Sequence, residues 1–153
     1  MANTYTQINI HAVFSVKGRE NIITNHFRNR LHEYISGIIN NTNNFSLAVN
    51  GYKDHVHVFF ELNPALALSE VIRDIKANSS GWINKNRFVL GHFNWQEGYG
   101  AFSYSKSQRD EVINYIMTQE EHHRHRSFKE EYLNLLKKFE IPFKDHYVFE
   151  FYE

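Results

Sequence analysis

Residues Tyr5 to Val16 alternate between apolar and polar positions. Ile8, Ile10, Ala12 and Phe14 fall on one side, and Gln7, Asn9 and His11 on the other, which is the period of a half-buried strand. Lys17-Gly18-Arg19 breaks it. The period then changes. Phe27, Leu31, Tyr34, Ile35 and Ile38 recur at helical spacing, with Thr24 as candidate N-cap and the polar run Asn40 to Asn44 as the end. Phe45 to Val49 predicts a second strand and Asn50-Gly51 a turn. His55 to Leu62 predicts a third strand, antiparallel to the second if that turn is tight, and Pro64 closes it. Leu68 to about Lys85 carries Val71, Ile72, Ile75 and Trp82 at helical spacing, interrupted by Gly81. Phe93 to Tyr104 predicts a fourth strand, bent at its glycines. Ser107 caps a third helix running to about His123, with Ile113, Ile116 and Met117 as its apolar stripe. Ser127-Phe128-Lys129-Glu130 has the capping-box pattern for a last helix through about Phe139. The tail Tyr147 to Tyr152 is expected to form a short strand or a docked segment.

Strand, helix, strand, strand, helix, strand, then helices is an α+β order. It predicts a ferredoxin-like split βαβ sandwich with an antiparallel sheet and C-terminal helices. The 153 residues suggest one domain, 1–153, with a core of about residues 5–124 and a helical extension of about 127–153. The chain has no cysteine, which excludes disulfides and thiolate zinc sites. No apolar run approaches the ~20 residues of a membrane span. No secretory signal is evident at the N-terminus, so a cytoplasmic protein without a membrane partner is expected.

The chemistry concentrates at His55-Val56-His57. On a strand, residues two apart share a face, so the two imidazoles stand side by side while Val56 and Val58 pack on the other side. Such a pair can hold one metal ion, although two solvated histidines on an edge strand would look the same. Imidazole suits several metals, so the pair alone names none. On the third predicted helix Gln119 follows Tyr115 at i+4 and His122 at i+7, a largely polar stripe. A phenol with a pKa near ~10 is a poor nucleophile at neutral pH and needs a nearby cation or base. Two neutral imidazoles and a neutral carboxamide would leave a divalent ion its full charge, fit to polarise a phosphodiester.

Four segments in order now define a resemblance. They are Val13-Phe14-Ser15-Val16-Lys17-Gly18-Arg19-Glu20, Asp54-His55-Val56-His57, the run Trp95 to Phe102, and the run Tyr115 to His123. The chain resembles the single-tyrosine HUH transposases, the small insertion-sequence and REP-associated tyrosine enzymes. The resemblance covers most of the chain and implies a metal-dependent DNA strand transferase. It implies a homodimer acting on single-stranded DNA with hairpin ends, and Mg²⁺ or Mn²⁺ held by His55, His57 and Gln119. Tyr115 would attack the scissile phosphate, leaving a 5′-phosphotyrosine and a free 3′ hydroxyl. The tyrosine helix of one subunit would often meet the histidine pair of the other.

Asp54 points to the opposite face on a regular strand and is read as orienting a ligand or shaping a turn. His122 and His123 could orient phosphate or Gln119. Lys17, Arg19, Lys76 and Arg87 are candidate phosphate contacts. Trp82, Trp95 and Tyr99 are candidate stacking surfaces, with core packing the simpler role for the tryptophans. The charge balance, 17 basic against 17 acidic residues, argues for a narrow basic groove or for recognition by hairpin shape. Two other classes stay open: a non-catalytic module binding single-stranded nucleic acid, and a metal-dependent hydrolase unrelated to DNA. For the hydrolase, no convincing carboxylate cluster is visible along the chain.

Overall fold

The structure is a computed structural model that describes residues 3–18, 21–123 and 125–144. Arg19 and the tail 147–152 lie outside the described residues. The elements run β1 Asn9–Ser15, α1 Arg28–Asn41, β2 Phe45–Gly51, β3 His55–Glu61, α2 Leu68–Lys85, β4 Gly100–Tyr104, a 3-10 turn Lys106–Gln108, α3 Arg109–Met117, α4 Gln119–His122 and α5 Phe128–Lys138. The sheet order is β2-β3-β1-β4 with every neighbouring pair antiparallel. That is the expected ferredoxin-like order: β3 sits between the two strands that α1 connects, and β1 becomes central.

The register assigns the faces. Val13 is opposite His57, Ser15 opposite His55 and His11 opposite Phe59. One face therefore carries Asn9, His11, Val13 and Ser15 beside His55 and His57. The other carries Ile10, Ala12 and Phe14 beside Val56, Val58 and Phe60. Helices α1 and α2 cover this apolar face. Ser36 of α1 donates to Ser46 at 2.7 Å, and the Trp95 indole, set edge-on to Phe14, donates to Ser79 of α2 at 2.9 Å. Each fully buried aliphatic or Phe side chain here is worth roughly 1.5–3 kcal/mol of transfer free energy.

The alternation of β1 predicts one wet face, yet every residue of β1 is buried. The reason is a third layer. Helices α3 to α5 fold back over the histidine face: Val112 and Ile116 pack on Ala48 and Phe59, and Phe128 and Tyr132 join the main core.

Several local expectations shift. Helix α1 begins at Arg28, not beside Thr24, whose carbonyl instead closes a turn onto the amides of Phe27 and Arg28. Asn50 and Gly51 end strand β2 rather than forming the turn, which is made by residues 52–54 with Tyr52 N–H donating to the His55 carbonyl at 3.1 Å. Gly51 is needed there because a Cβ would collide with the His55 carbonyl oxygen. The run from Phe93 does not form one strand: Trp95 makes an isolated bridge to Val16, and β4 starts only at Gly100, after Gly98 at φ +85°.

The third predicted helix is capped by Ser105, whose box with Gln108 starts the 3-10 turn, not by Ser107. It breaks at Thr118, where the hydroxyl bonds back to the Asn114 carbonyl at 2.9 Å. Its buried positions are Val112 and Ile116, and Met117 is 54% exposed. Helix α5 matches expectation, with the Ser127 hydroxyl accepting from Glu130 N–H at 3.2 Å.

His32 of α1 is buried, and its Nε2 has no hydrogen-bond partner among the described residues. Burial, helped by the Arg28 charge, lowers its pKa from 6.5 to about 4. The unfolded chain therefore binds this proton first as pH falls, and the folded state loses stability from about pH 6.5 down to about 4. We expect His32→Leu to flatten that acid limb by up to roughly 3 kcal/mol. Denaturant unfolding at pH 7 and pH 4.5 reads this directly, and equal pH slopes in both proteins would refute it.

Candidate active site

The two imidazoles stand where the strand period places them, with ring centroids 5.1 Å apart and no solvent exposure. They are neither on an edge strand nor solvated. Their outer nitrogens are fixed. His55 Nδ1 lies 2.7 Å from Asp54 Oδ1, and His57 Nδ1 lies 2.7 Å from His11 Nε2. An imidazole that donates through Nδ1 presents the lone pair of Nε2 to the site, as a metal-bound histidine requires. Asp54 thus orients His55 despite its neighbouring position, because it belongs to the turn rather than to the regular strand. His11 gives His57 the equivalent partner, and its own Nδ1 is left without a hydrogen bond among the described residues. The alternation of β1 marked His11 only as polar.

Both Nε2 atoms point at one group, the carboxylate of Glu131 on α5. Oε1 lies 3.1 Å from His57 Nε2, 3.4 Å from His55 Nε2 and 3.2 Å from His123 Nε2. Oε2 accepts from the Tyr115 hydroxyl and, at 3.0 Å, from Gln119 Nε2. The Gln119 carbonyl oxygen sits 3.0 Å from His55 Nε2 and 3.1 Å from His123 Nε2. The break at Thr118 makes this convergence local: it restarts the helix and turns a fully buried Gln119 toward the sheet. His122 goes elsewhere, with Nε2 3.0 Å from the Thr118 hydroxyl and its ring 4.9 Å from that of Tyr115. Tyr115, expected on a largely polar stripe with Gln119 and His122, is half-buried, and its ring lies 5.9 Å from that of His57 in the same chain.

Charges follow from these contacts. Burial alone would raise the Glu131 pKa, but His57, His123 and His55 hold it well below the usual carboxylate range. Burial would likewise lower His55, yet its hydrogen bonds to Asp54 and Glu131 raise it to about 9. Burial wins at His57, which is lowered. At Tyr115 burial and the adjacent Glu131 charge both push the phenol up, so it stays protonated.

His55, His57 and Glu131 offer one ligand atom each, all within 4.8 Å. Two nitrogens and a hard oxygen, with Gln119 alongside, suit a divalent ion. Beside them a cavity of about 240 Å³ opens, lined by Tyr115 and Glu131 with Arg126 and Lys138.

Residues 4–119 match the sequence family described as Transposase IS200 like. The chain belongs to that family. No curated protein matches the chain. Among solved structures it is similar to a candidate transposase from Deinococcus radiodurans, at TM-score 0.59 and 16% identity over 78% of this chain and 96% of that one. It is also similar to a REP-associated tyrosine transposase bound to a REP hairpin, at TM-score 0.58 and 15% identity over 80% and 73%. At such identities the likeness concerns the fold, and it agrees with the ferredoxin-like order above.

This transposase is thus an enzyme of DNA transposition, as the single-tyrosine HUH resemblance implies. The family match ends at Gln119, before Glu131. Sequence reading had missed Glu131, although its signal was present. Phe128, Glu131, Tyr132, Leu135 and Leu136 form the buried stripe of α5, and a carboxylate at such a position needs buried partners.

The phosphate-contact candidates fall elsewhere. Lys76 does not stand free: its ammonium donates to the carbonyls of Gln96 at 2.8 Å and Gly98 at 2.5 Å, on the α2 side of the sheet. Burial lowers its pKa to about 8. Lys17 and Arg87 are exposed. Trp95 is core, and Trp82 stacks on Tyr34 at 4.7 Å.

In the metal-free transposase at pH 7 we expect His55 to be an imidazolium and His57 neutral, read by ¹⁵N NMR of labelled histidine. Asp54→Asn should move the His55 midpoint down from about 9. An unchanged midpoint would contradict the role given to Asp54.

Proposed function

We propose that this transposase cleaves and rejoins single-stranded DNA, with a divalent ion, through a covalent 5′-phosphotyrosine. One observation carries the reading. The Tyr115 hydroxyl and the inward nitrogens of His55 and His57 meet on a single buried carboxylate within one chain. A tyrosine kept only for packing has no need of that company.

His55 and His57, with Gln119, would hold Mg²⁺ or Mn²⁺. The ion supplies Lewis-acid polarisation of a phosphate oxygen and neutralises charge in the transition state. Everything else falls to the chain. Tyr115 Oη bonds to the phosphorus of the scissile linkage as the bond from phosphorus to the 3′ oxygen breaks. The phenol becomes far more acidic as its oxygen bonds to phosphorus, and its proton leaves along the existing hydrogen bond to Glu131 Oε2. The departing 3′ oxygen takes a proton from solvent and Glu131 gives the phenol's proton back to solvent, so no net proton is gained or lost. Rejoining is the reverse: a 3′ hydroxyl attacks the phosphotyrosine and the phenol recovers its proton. The phosphodiester is exchanged for an ester of similar energy, so no external energy source is needed.

Asp54 fixes His55, His123 supports Gln119, and His122 packs on the Tyr115 ring, which together hold the nucleophile in place. The phosphate reaches Tyr115 from the adjoining cavity, where Arg126 and Lys138 are better placed for it than Lys76. Lys17 and Arg87 would serve DNA farther from the bond that breaks, as would Arg19, which lies outside the described residues. A hairpin-bearing single strand is the substrate class, supported by the REP hairpin on the structural neighbour. The reading includes the homodimer of the HUH resemblance, although one chain already unites the nucleophile with its own histidines.

Incubating the protein with hairpin-bearing single-stranded DNA and Mn²⁺ should give an SDS-resistant protein–DNA adduct. Tyr115→Phe should abolish the adduct and leave DNA affinity within about twofold, since one hydroxyl is removed from a large interface. An adduct formed by the Phe variant would refute the assignment of the nucleophile.

A further inference from the structure

Helix α5 lies beyond the region that matches the family, yet it places a charged group at the centre of the site. Glu131 is 2% exposed and touches five site residues. We propose that Glu131 is a metal ligand of this transposase through Oε1, while Oε2 holds the Tyr115 hydroxyl, so that one carboxylate ties ion and nucleophile together. The inference rests on the proposed metal-dependent reaction and adds a ligand from the C-terminal extension.

Three observations support it. The first is spacing. Neighbouring ligands of an octahedral ion at ~2.1 Å lie about 3 Å apart. Glu131 Oε1 to His57 Nε2 is 3.1 Å, Gln119 Oε1 to His55 Nε2 is 3.0 Å, and Glu131 Oε1 to His55 Nε2 is 3.4 Å. Each of these pairs has the spacing of adjacent ligands in such a shell.

The second is charge. Two imidazoles and a carboxamide are neutral, and a divalent ion buried among them would keep two positive charges in a poorly solvated place. A carboxylate removes one of them and is the hard oxygen donor that Mg²⁺ and Mn²⁺ prefer.

The third is construction. The Ser127 cap fixes where α5 starts, and the apolar stripe fixes its rotation, with Phe128 stacked 4.0 Å from His55. Glu131 is held in register by the helix rather than reaching in from a mobile loop. Glu130, its neighbour, is exposed and serves as the control.

The test is Mn²⁺ affinity of the full-length protein without DNA, followed by the EPR signal of free Mn²⁺, beside adduct formation. Glu131→Gln should weaken Mn²⁺ binding at least about tenfold, as His57→Ala should, whereas Glu130→Gln should bind like wild type. If Glu131→Gln binds as tightly as wild type or more tightly, the proposal fails, and Glu131 is a plug over the histidines. If Glu131→Gln does not fold, wild type decides: with ¹³C-carboxylate glutamate, bound Mn²⁺ should show a ¹³C hyperfine coupling, and its absence overturns the proposal. Wild type that forms the adduct and binds Mn²⁺ without Glu131 defeats this inference alone. Wild type that does neither defeats the proposed function as well.

Discussion

A buried carboxylate must be compensated, and in this chain that requirement organises the site. Glu131 is surrounded by His55, His57, His123, Gln119 and Tyr115, and a ring nitrogen, amide or hydroxyl of each lies within hydrogen-bond distance of its carboxylate. Removing one partner of a buried ionic pair typically costs about 3–5 kcal/mol, so the cluster forms as a unit. The helix that brings the charge packs against the strand that brings the imidazoles. The third layer of the fold and the assembly of the site are therefore the same event.

The sheet register does the remaining work. Because β1 lies between β3 and β4, the residues beside His57 come from a central strand, and His55, His57 and Gln119 are fully buried, with the cavity opening next to Tyr115. His11 and Asp54 each fix one ring nitrogen, which leaves the opposite nitrogen for the interior. The break at Thr118 then sends Gln119 inward. None of these residues touches all the others, yet each restricts the geometry that the chemistry needs.

Much of this was legible along the chain. A period of two at His55 and His57 put both rings on one face, and a period near four linked Tyr115 to Gln119. The alternation of strands and helices led to the sheet order. What failed shares one cause: the alternation of β1 describes two layers, and the structure has three. His11 was placed only on the polar side of a half-buried strand and Met117 on the apolar stripe, because the return of α3 to α5 over the sheet is a tertiary event with no local period. Glu131 shows the limit well. Its helix was predicted from the Ser127 cap, and its place on an apolar stripe was visible, but which residues would receive a buried charge depends on contacts 74 and 76 positions away in sequence, to His57 and His55. Asn50-Gly51 was misassigned because a two-residue turn and a strand end demanding a missing Cβ look alike in sequence.

The central claim is that a single chain supplies both the phenol and the imidazole pair. Mixing two inactive proteins tests it most directly: Tyr115→Phe, and a variant carrying His55→Ala with His57→Ala, incubated together with hairpin-bearing single-stranded DNA and Mn²⁺. If each site is built within one chain, every site in the mixture lacks either nucleophile or ligands, and no adduct should form while wild type alone gives one. An adduct in the mixture would show that Tyr115 of one chain works with the histidines of another, which contradicts the account.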